Sequence, residues 1–173
     1  MMTMSSIRGF TLVELMLVVI IVAIFAVVAI PSYQAYIRRS HAAAVQAEML
    51  RLADQLEHYK SRNFSYHGFD PYYLYGKTSG VSSFEFPVQD DVTKRYTITL
   101  ADVSSGNNDG SLLATNNDGL GQKWAINAIP KSTQYDAMLL TSTGVRCKTT
   151  YYSDADLTDI SAYTGCGSST ASW

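Results

Sequence analysis

Cysteine, proline and histidine are scarce in this chain: two, four and three among 173 residues, with charged residues at only 16%. Each shortage excludes something. The cysteines, Cys147 and Cys166, form no CxxC, and His41, His58 and His67 follow no metal-ligand spacing. No GxSxG, no glycine-rich phosphate loop and no HExxH occurs, so the residues argue neither for an enzyme nor for a cofactor. Thirteen Lys and Arg against fifteen Asp and Glu give a net charge of −2, and no run of like charges stands out. Counterion release on nucleic acid needs clustered cations, so composition argues against direct nucleic-acid binding. The length fits one ordinary domain.

What is abundant is concentrated. Between Phe10 and Ile30 only Thr11 and Glu14 are polar, and these 21 residues would rise about 31 Å as a helix, close to the roughly 30 Å of a bilayer's hydrocarbon. The segment is long enough to span a membrane. A cleaved secretory signal is the competing reading, since Val27-Val28-Ala29 offers small residues for a cut, but its apolar region would normally be shorter. Glu14 is the anomaly. A carboxylate inside an apolar span costs about 2.5–3.5 kcal/mol on insertion scales and usually marks a function, although near the segment's start it has the alternative of snorkelling to the headgroups.

Immediately upstream lies Met1-Met2-Thr3-Met4-Ser5-Ser6-Ile7-Arg8-Gly9, a short leader with one basic residue, followed by Phe10-Thr11-Leu12-Val13-Glu14-Leu15. From Arg8 to Glu14 and through the apolar run, the chain resembles the type IV prepilin family, and more loosely so through Pro31 and Tyr33 to about Arg62. The resemblance implies cleavage after Gly9 by a membrane-embedded prepilin peptidase and N-methylation of Phe10, leaving 173 − 9 = 164 residues. A residue without Cβ at the cut suits close approach of the peptidase to the backbone. The Glu14 carboxylate would then pair with the Phe10 ammonium of a neighbouring subunit, fixing axial register as helices leave the lipid.

Arg8 on one side of the span and Arg38, Arg39 and His41 on the other leave topology undecided by charge. The resemblance places the C-terminal domain outside the inner membrane, periplasmic at first and extracellular once in a pilus filament. There Cys147 and Cys166, enclosing 18 residues, are expected to form the disulfide that staples a C-terminal loop in many of these proteins. Implied partners are other pilin subunits, the prepilin peptidase and an inner-membrane assembly platform. A type IV pilus subunit, and a minor one, is preferred to a type II secretion pseudopilin. An envelope-anchored binding module, with its site in a tyrosine-rich loop, is the alternative from another class.

The resulting organisation is a leader at 1–9, a transmembrane and assembly helix at 10–30, and a globular domain at 31–173. Pro31 removes a backbone donor and predicts a kink or a locally melted stretch near Val27 to Ile30. From 32 to 62 there is neither Pro nor Gly, and Val45, Met49, Leu52, Leu56 and Tyr59 recur at intervals of 4, 3, 4 and 3. That stripe predicts an amphipathic helix facing the domain core. An aromatic loop follows over 63–94, rich in Tyr and Phe as far as Tyr75, which serves either packing or ligand recognition.

Alternation predicts strands at 95–103, 123–129, 137–141 and 145–149, the last two joined as a hairpin by Ser142-Thr143-Gly144, with a weaker one at 83–88 limited by Pro87. The sheet accordingly falls within 95–149 and a disulfide-bounded loop within 147–166. The fold class is α+β: a long kinked N-terminal helix whose C-terminal half packs on an antiparallel sheet of about four strands, similar to the pilin fold. Asn107-Asn108-Asp109-Gly110 and Asn116-Asn117-Asp118-Gly119 read as turns first, and as a calcium site through Asp109 and Asp118 second.

Overall fold

The computed structural model describes residues 9–76, 83–88, 94–104, 110–111, 120–149, 154–167 and 170–173. It divides into two compact units, one reaching Ser40 and one beginning at His41. Helix α1, Leu12–Asn63, contributes to both and continues without a break across Pro31, so the stretch from Val27 to Ile30 is helical rather than melted. Its N-terminus is capped by Thr11, whose Oγ1 accepts from the Glu14 N–H at 3.2 Å. Within the first unit, the large apolar side chains from Leu12 to Ile30 are 45–77% exposed, left uncovered by the described residues. By length and composition this helix is able to cross a membrane.

In the second unit the expected stripe is the core. Val45, Met49, Leu52 and Leu56 are fully buried and Tyr59 packs at their margin. Lys60 and Arg62 occupy the last turn, where cations offset the helix dipole. The helix stops at Asn63, and Phe64 closes it in the left-handed conformation, φ 60°, with its N–H donating to the Lys60 carbonyl at 2.7 Å.

A seven-stranded antiparallel sheet receives the stripe. Its strands are β1 (Ser83–Phe86), β2 (Tyr96–Asp102), β3 (Gly110–Ser111), β4 (Trp124–Pro130), β5 (Met138–Thr141), β6 (Arg146–Thr149) and β7 (Thr170–Ala171). The order is β1-β2-β4-β5-β6-β7, with β3 paired to β2 off that path. The four strands expected from alternation are all present. Pro130 is the last residue of β4, paired opposite Tyr96, and the weak segment at 83–88 contains the paired strand β1. The larger strand count comes from β1, expected as a weaker strand, and from β3 and β7, whose two residues each are too few for alternation to show.

Period-two alternation gives the sheet two apolar faces. Tyr96, Ile98, Leu100, Trp124, Ile126, Met138 and Leu140 pack with α1, while Ala125, Ala137, Leu139 and Cys147 form a second cluster with Ile160 and Cys166. The second cluster is capped by α2 (Asp154–Ser161), a helix inside what the sequence presents as a polar tail. The aromatic segment is likewise more structured than a loop. Asp70 accepts from Tyr72 N–H at 2.8 Å and starts a 3₁₀ turn, Pro71–Tyr75, that ends on Gly76 at φ 65°.

Candidate functional site

At the N-terminus, Gly9 and Phe10 precede the helix in exposed backbone, and Phe10 is 72% exposed. A Cβ built on Gly9 meets nothing within 4 Å among the described residues. Glu14 stands at the third helical position, three residues after the capping Thr11. Thr-x-x-Glu is the spacing of a capping box, a local role for Glu14 that was readable in the sequence and that the assembly reading passed over. Phe10, Thr11 and Glu14 thus form one exposed terminus.

The aromatic segment resolves toward packing. The Tyr59 hydroxyl donates to the His67 carbonyl at 2.9 Å, and the Tyr73 hydroxyl to Gln55 Oε1 at 3.4 Å. The Tyr75 hydroxyl donates to Glu48 Oε1. Glu57 Oε1 accepts twice, from the Tyr66 hydroxyl at 2.8 Å and from the Trp124 indole N–H at 2.9 Å. Burial, reinforced by the hydrogen bond to Glu57, pushes the Tyr66 phenol up to about 12. Tyr75 is raised by the same two causes, through Glu48. Phe69 is fully buried and meets Tyr59 and Tyr73 edge-on at centroid distances of 5.6 and 6.2 Å. Two aromatics of this segment escape, Phe64 at 83% and Tyr73 at 56% exposure.

Asp102 is a buried node at the end of β2 that the sequence did not flag. Its Oδ1 accepts from Ser104 N–H at 2.8 Å and from the Ser104 hydroxyl, and its Oδ2 from Gly121 N–H at 2.7 Å. Ser104 Oγ in turn accepts from the Gln122 and Lys123 N–H groups, both at 2.8 Å. His67 Nε2 lies 3.9 Å from Asp102 Oδ2. These bonds join the two ends of the 105–119 connection. Asp109 and Asp118, the residues of the calcium reading, lie outside the described residues. Among the described residues no group of three or more His, Cys, Asp and Glu converges as a metal site.

The histidines are dispersed. His41 sits edge-on to Tyr135 at 5.8 Å, and burial first, then the Arg95 charge, lowers its pKa. His58 is 3.6 Å from Asp54 one turn away. Cys147 and Cys166 are disulfide-bonded, with Cα atoms 5.9 Å apart. The bridge ties β6 to the segment that follows α2, and the buried Asn127 adds a second tie by donating from Nδ2 to the Ile160 carbonyl at 3.4 Å.

Comparison with known proteins returns two family models. The one described as "Type IV minor pilin ComP, DNA uptake sequence receptor" matches residues 31–151, and the one described as "Prokaryotic N-terminal methylation motif" matches residues 4–30. Among curated relatives, a "Type IV major fimbrial protein FimA" of Dichelobacter nodosus is 48% identical over 50 residues, 29% of this chain and 32% of the relative. A second FimA of that organism is 54% identical over 50 residues, 29% of each chain. The "Type IV major alpha-pilin" of Moraxella bovis is 46% identical over 46 residues, 27% of this chain and 29% of the relative. Each match therefore spans less than a third of these relatives' length. No solved structure matches the chain.

Proposed function

The chain belongs to the type IV minor pilin family described as ComP, DNA uptake sequence receptor, and on that premise we propose that it is a filament subunit whose N-terminal helix anchors and then assembles it. Type IV pilins are structural subunits that assemble with other pilins, and an apolar N-terminal helix fits membrane anchorage followed by incorporation into a fibre. The observation that carries the reading is the terminus at Phe10 to Glu14, followed by a helix whose large apolar side chains the described residues leave uncovered to Ile30.

In this proposal, residues 1–9 are a leader that a prepilin peptidase removes after Gly9. The new Phe10 amine is methylated. Residues 10–30 hold the chain in the inner membrane, with the domain periplasmic, until an assembly platform extracts it. Glu14 then pairs with the Phe10 amine of a neighbour, and Pro31 is the point at which α1 bends. The heterologous contact repeats without closing, which yields a filament for adhesion, twitching motility or DNA uptake.

Whole-chain charge argues against direct DNA contact, whereas the family's description argues for it, and its match covers the globular part of the chain rather than the general pilin helix. We adopt DNA reception as part of the reading. Average charge is a weak guide to a surface, because local clustering of cations sets the field that a polyanion meets. The same match favours a pilus over a type II secretion pseudopilus, and the occupied phenols of the aromatic segment weaken the case for a separate anchored binding module.

Intact-mass and N-terminal peptide analysis of the protein from its host's membrane fraction tests the processing. The expected species begins at N-methylated Phe10; a chain beginning near Ile30 or retaining Met1 overturns the mechanism. Glu14→Ala is expected to be inserted and cleaved normally yet to be depleted from sheared filaments, and normal incorporation would sink the pairing role.

A further inference from the structure

Two large apolar side chains stand exposed where the end of α1 meets the turn before β4. Phe64 is 83% exposed and Leu120 is 65% exposed. They are brought together by main-chain contact, since Tyr66 N–H donates to the Gly121 carbonyl at 2.9 Å and the Ser65 hydroxyl to the same oxygen at 3.3 Å. Gly121, at φ 60°, makes this approach possible, because a Cβ there would fall 2.2 Å from Ser65 Oγ and 2.7 Å from His67 Cδ2. The junction is therefore firmly built, while the two apolar groups beside it remain largely exposed among the described residues.

Cations surround them. Lys60 lies over the Tyr66 ring at 4.6 Å and, with Ser61, Phe64 and Glu57, lines a hollow of about 380 Å³. Arg62 and Lys123 are exposed on the two sides of the junction. The one carboxylate in the hollow, Glu57, already accepts from Tyr66 and Trp124 through Oε1. Phe64 adds an independent sign. A residue that closes a helix at φ 60° is usually glycine, because a side chain is disfavoured there; here that position carries an exposed phenylalanine.

Resting on the reading that this chain receives DNA, we propose that Lys60, Arg62, Phe64, Leu120 and Lys123 form its duplex-DNA contact surface. The three cations meet backbone phosphates. Phe64, with Leu120 beside it, is the apolar wedge that packs on base and sugar edges in a groove. This division of labour accounts for a chain of net negative charge with an apolar group held outward at a disfavoured backbone angle.

The test uses the full chain in detergent micelles and labelled duplex fragments of its host's genomic DNA, titrated across a salt series. Phe64→Gly is the decisive variant. Glycine suits φ 60°, so the expected melting temperature rises by a few degrees while DNA affinity falls about tenfold and the salt slope stays unchanged. The combination Lys60→Ala, Arg62→Ala and Lys123→Ala is expected to flatten the log-log salt slope by about 2.7. Lys94→Ala with Lys131→Ala, which removes the cations around Glu85, should leave the slope as it is. If the native chain binds DNA and the first two variants bind equally well, this surface is wrong and DNA reception stands. If Phe64→Gly lowers stability together with affinity, Phe64 is structural and the wedge is wrong. If the native chain binds no duplex, DNA reception itself fails and takes this surface with it.

Discussion

Residues 12–30 and residues 45–59 of the same helix are both rich in apolar side chains, and the chain treats them oppositely. In the later stretch Val45, Met49, Leu52 and Leu56 are covered by the sheet, spaced so that one face alone is apolar. In the earlier stretch apolar residues occupy every face and the large ones all remain exposed. A stripe can be buried by a sheet of the same domain; a helix apolar all round must be surrounded, by lipid or by other helices. Pattern width, rather than hydrophobicity, tells which part of the helix stabilises the domain and which part needs partners outside the chain.

That contrast breaks most sharply at single residues. Leu52→Ala is expected to cost the domain about 2–5 kcal/mol, the range for truncating a fully buried leucine, whereas Ile20→Ala should leave the domain's unfolding midpoint where it is. Chemical denaturation followed by the fluorescence of Trp124, on the sheet face that α1 covers, reads both. A comparable loss for Ile20→Ala would mean that the earlier stretch is also held by the domain.

The second expectation concerns the other face of the sheet. Opening the Cys147–Cys166 bridge, by Cys147→Ser with Cys166→Ser, releases a loop of 18 residues and is expected to cost about 3 kcal/mol. The loss should loosen α2 before α1. Hydrogen exchange is expected to show Asp154–Ser161 losing protection while the amides around Leu52 keep theirs. Equal loss in both would show that the two faces do not behave as separate layers.

The sequence was informative wherever a period persisted. Four intervals of 3 and 4 located the α1 stripe, and alternation located β2, β4, β5 and β6 to within a residue or two at each end. It was silent where structure depends on distant partners. Helix α2 offers only Leu157 and Ile160 as its described apolar anchors, too few for a pattern, and these are held by Asn127 and the disulfide from elsewhere. The tyrosine-rich segment was ambiguous for the same reason, because its phenols bond to Gln55 and Glu48, 18 and 27 residues away. At the N-terminus the failure was of another kind. Thr11-x-x-Glu14 was visible, but one carboxylate invites one explanation, and the intersubunit pairing left the local cap unconsidered.

Glu57 sharpens the contrast from its polar side, since it anchors the later stretch of α1 to both the aromatic segment and β4. Glu57→Ala strands the Tyr66 hydroxyl and the Trp124 indole N–H and is expected to cost about 1–3 kcal/mol. Alkaline titration reports on the same neighbourhood. Tyr66 holds its proton more tightly folded than unfolded, titrating at about 12 rather than 10. Between those values the folded state binds more protons, so stability is full below pH 10 and falls as pH rises toward 12. Tyr75, Tyr96 and Tyr163, all raised by burial, act in the same direction. Urea midpoints that stayed flat across this window would contradict the buried placement of these phenols.

The smallest expected effect lies at the start of the second unit, where His41 packs against Tyr135. Burial and the Arg95 charge both disfavour its protonated form, so its pKa falls below 6.5 in the folded state. The unfolded chain then binds the proton more readily, and stability decreases as pH falls from above 6.5 through the lowered value. Glu85 pulls the same way only further into acid, since Lys131 and then Lys94 hold its carboxyl below 4.5. A window from about pH 7.5 to 5 therefore excludes Glu85, and comparison with His41→Gln isolates the share of His41 within it. Urea midpoints of the native chain should decline modestly across it, and those of His41→Gln should decline less. Identical declines would mean that His41 is as solvated as the helix residues before it, and that the packed part of α1 begins at Val45 instead.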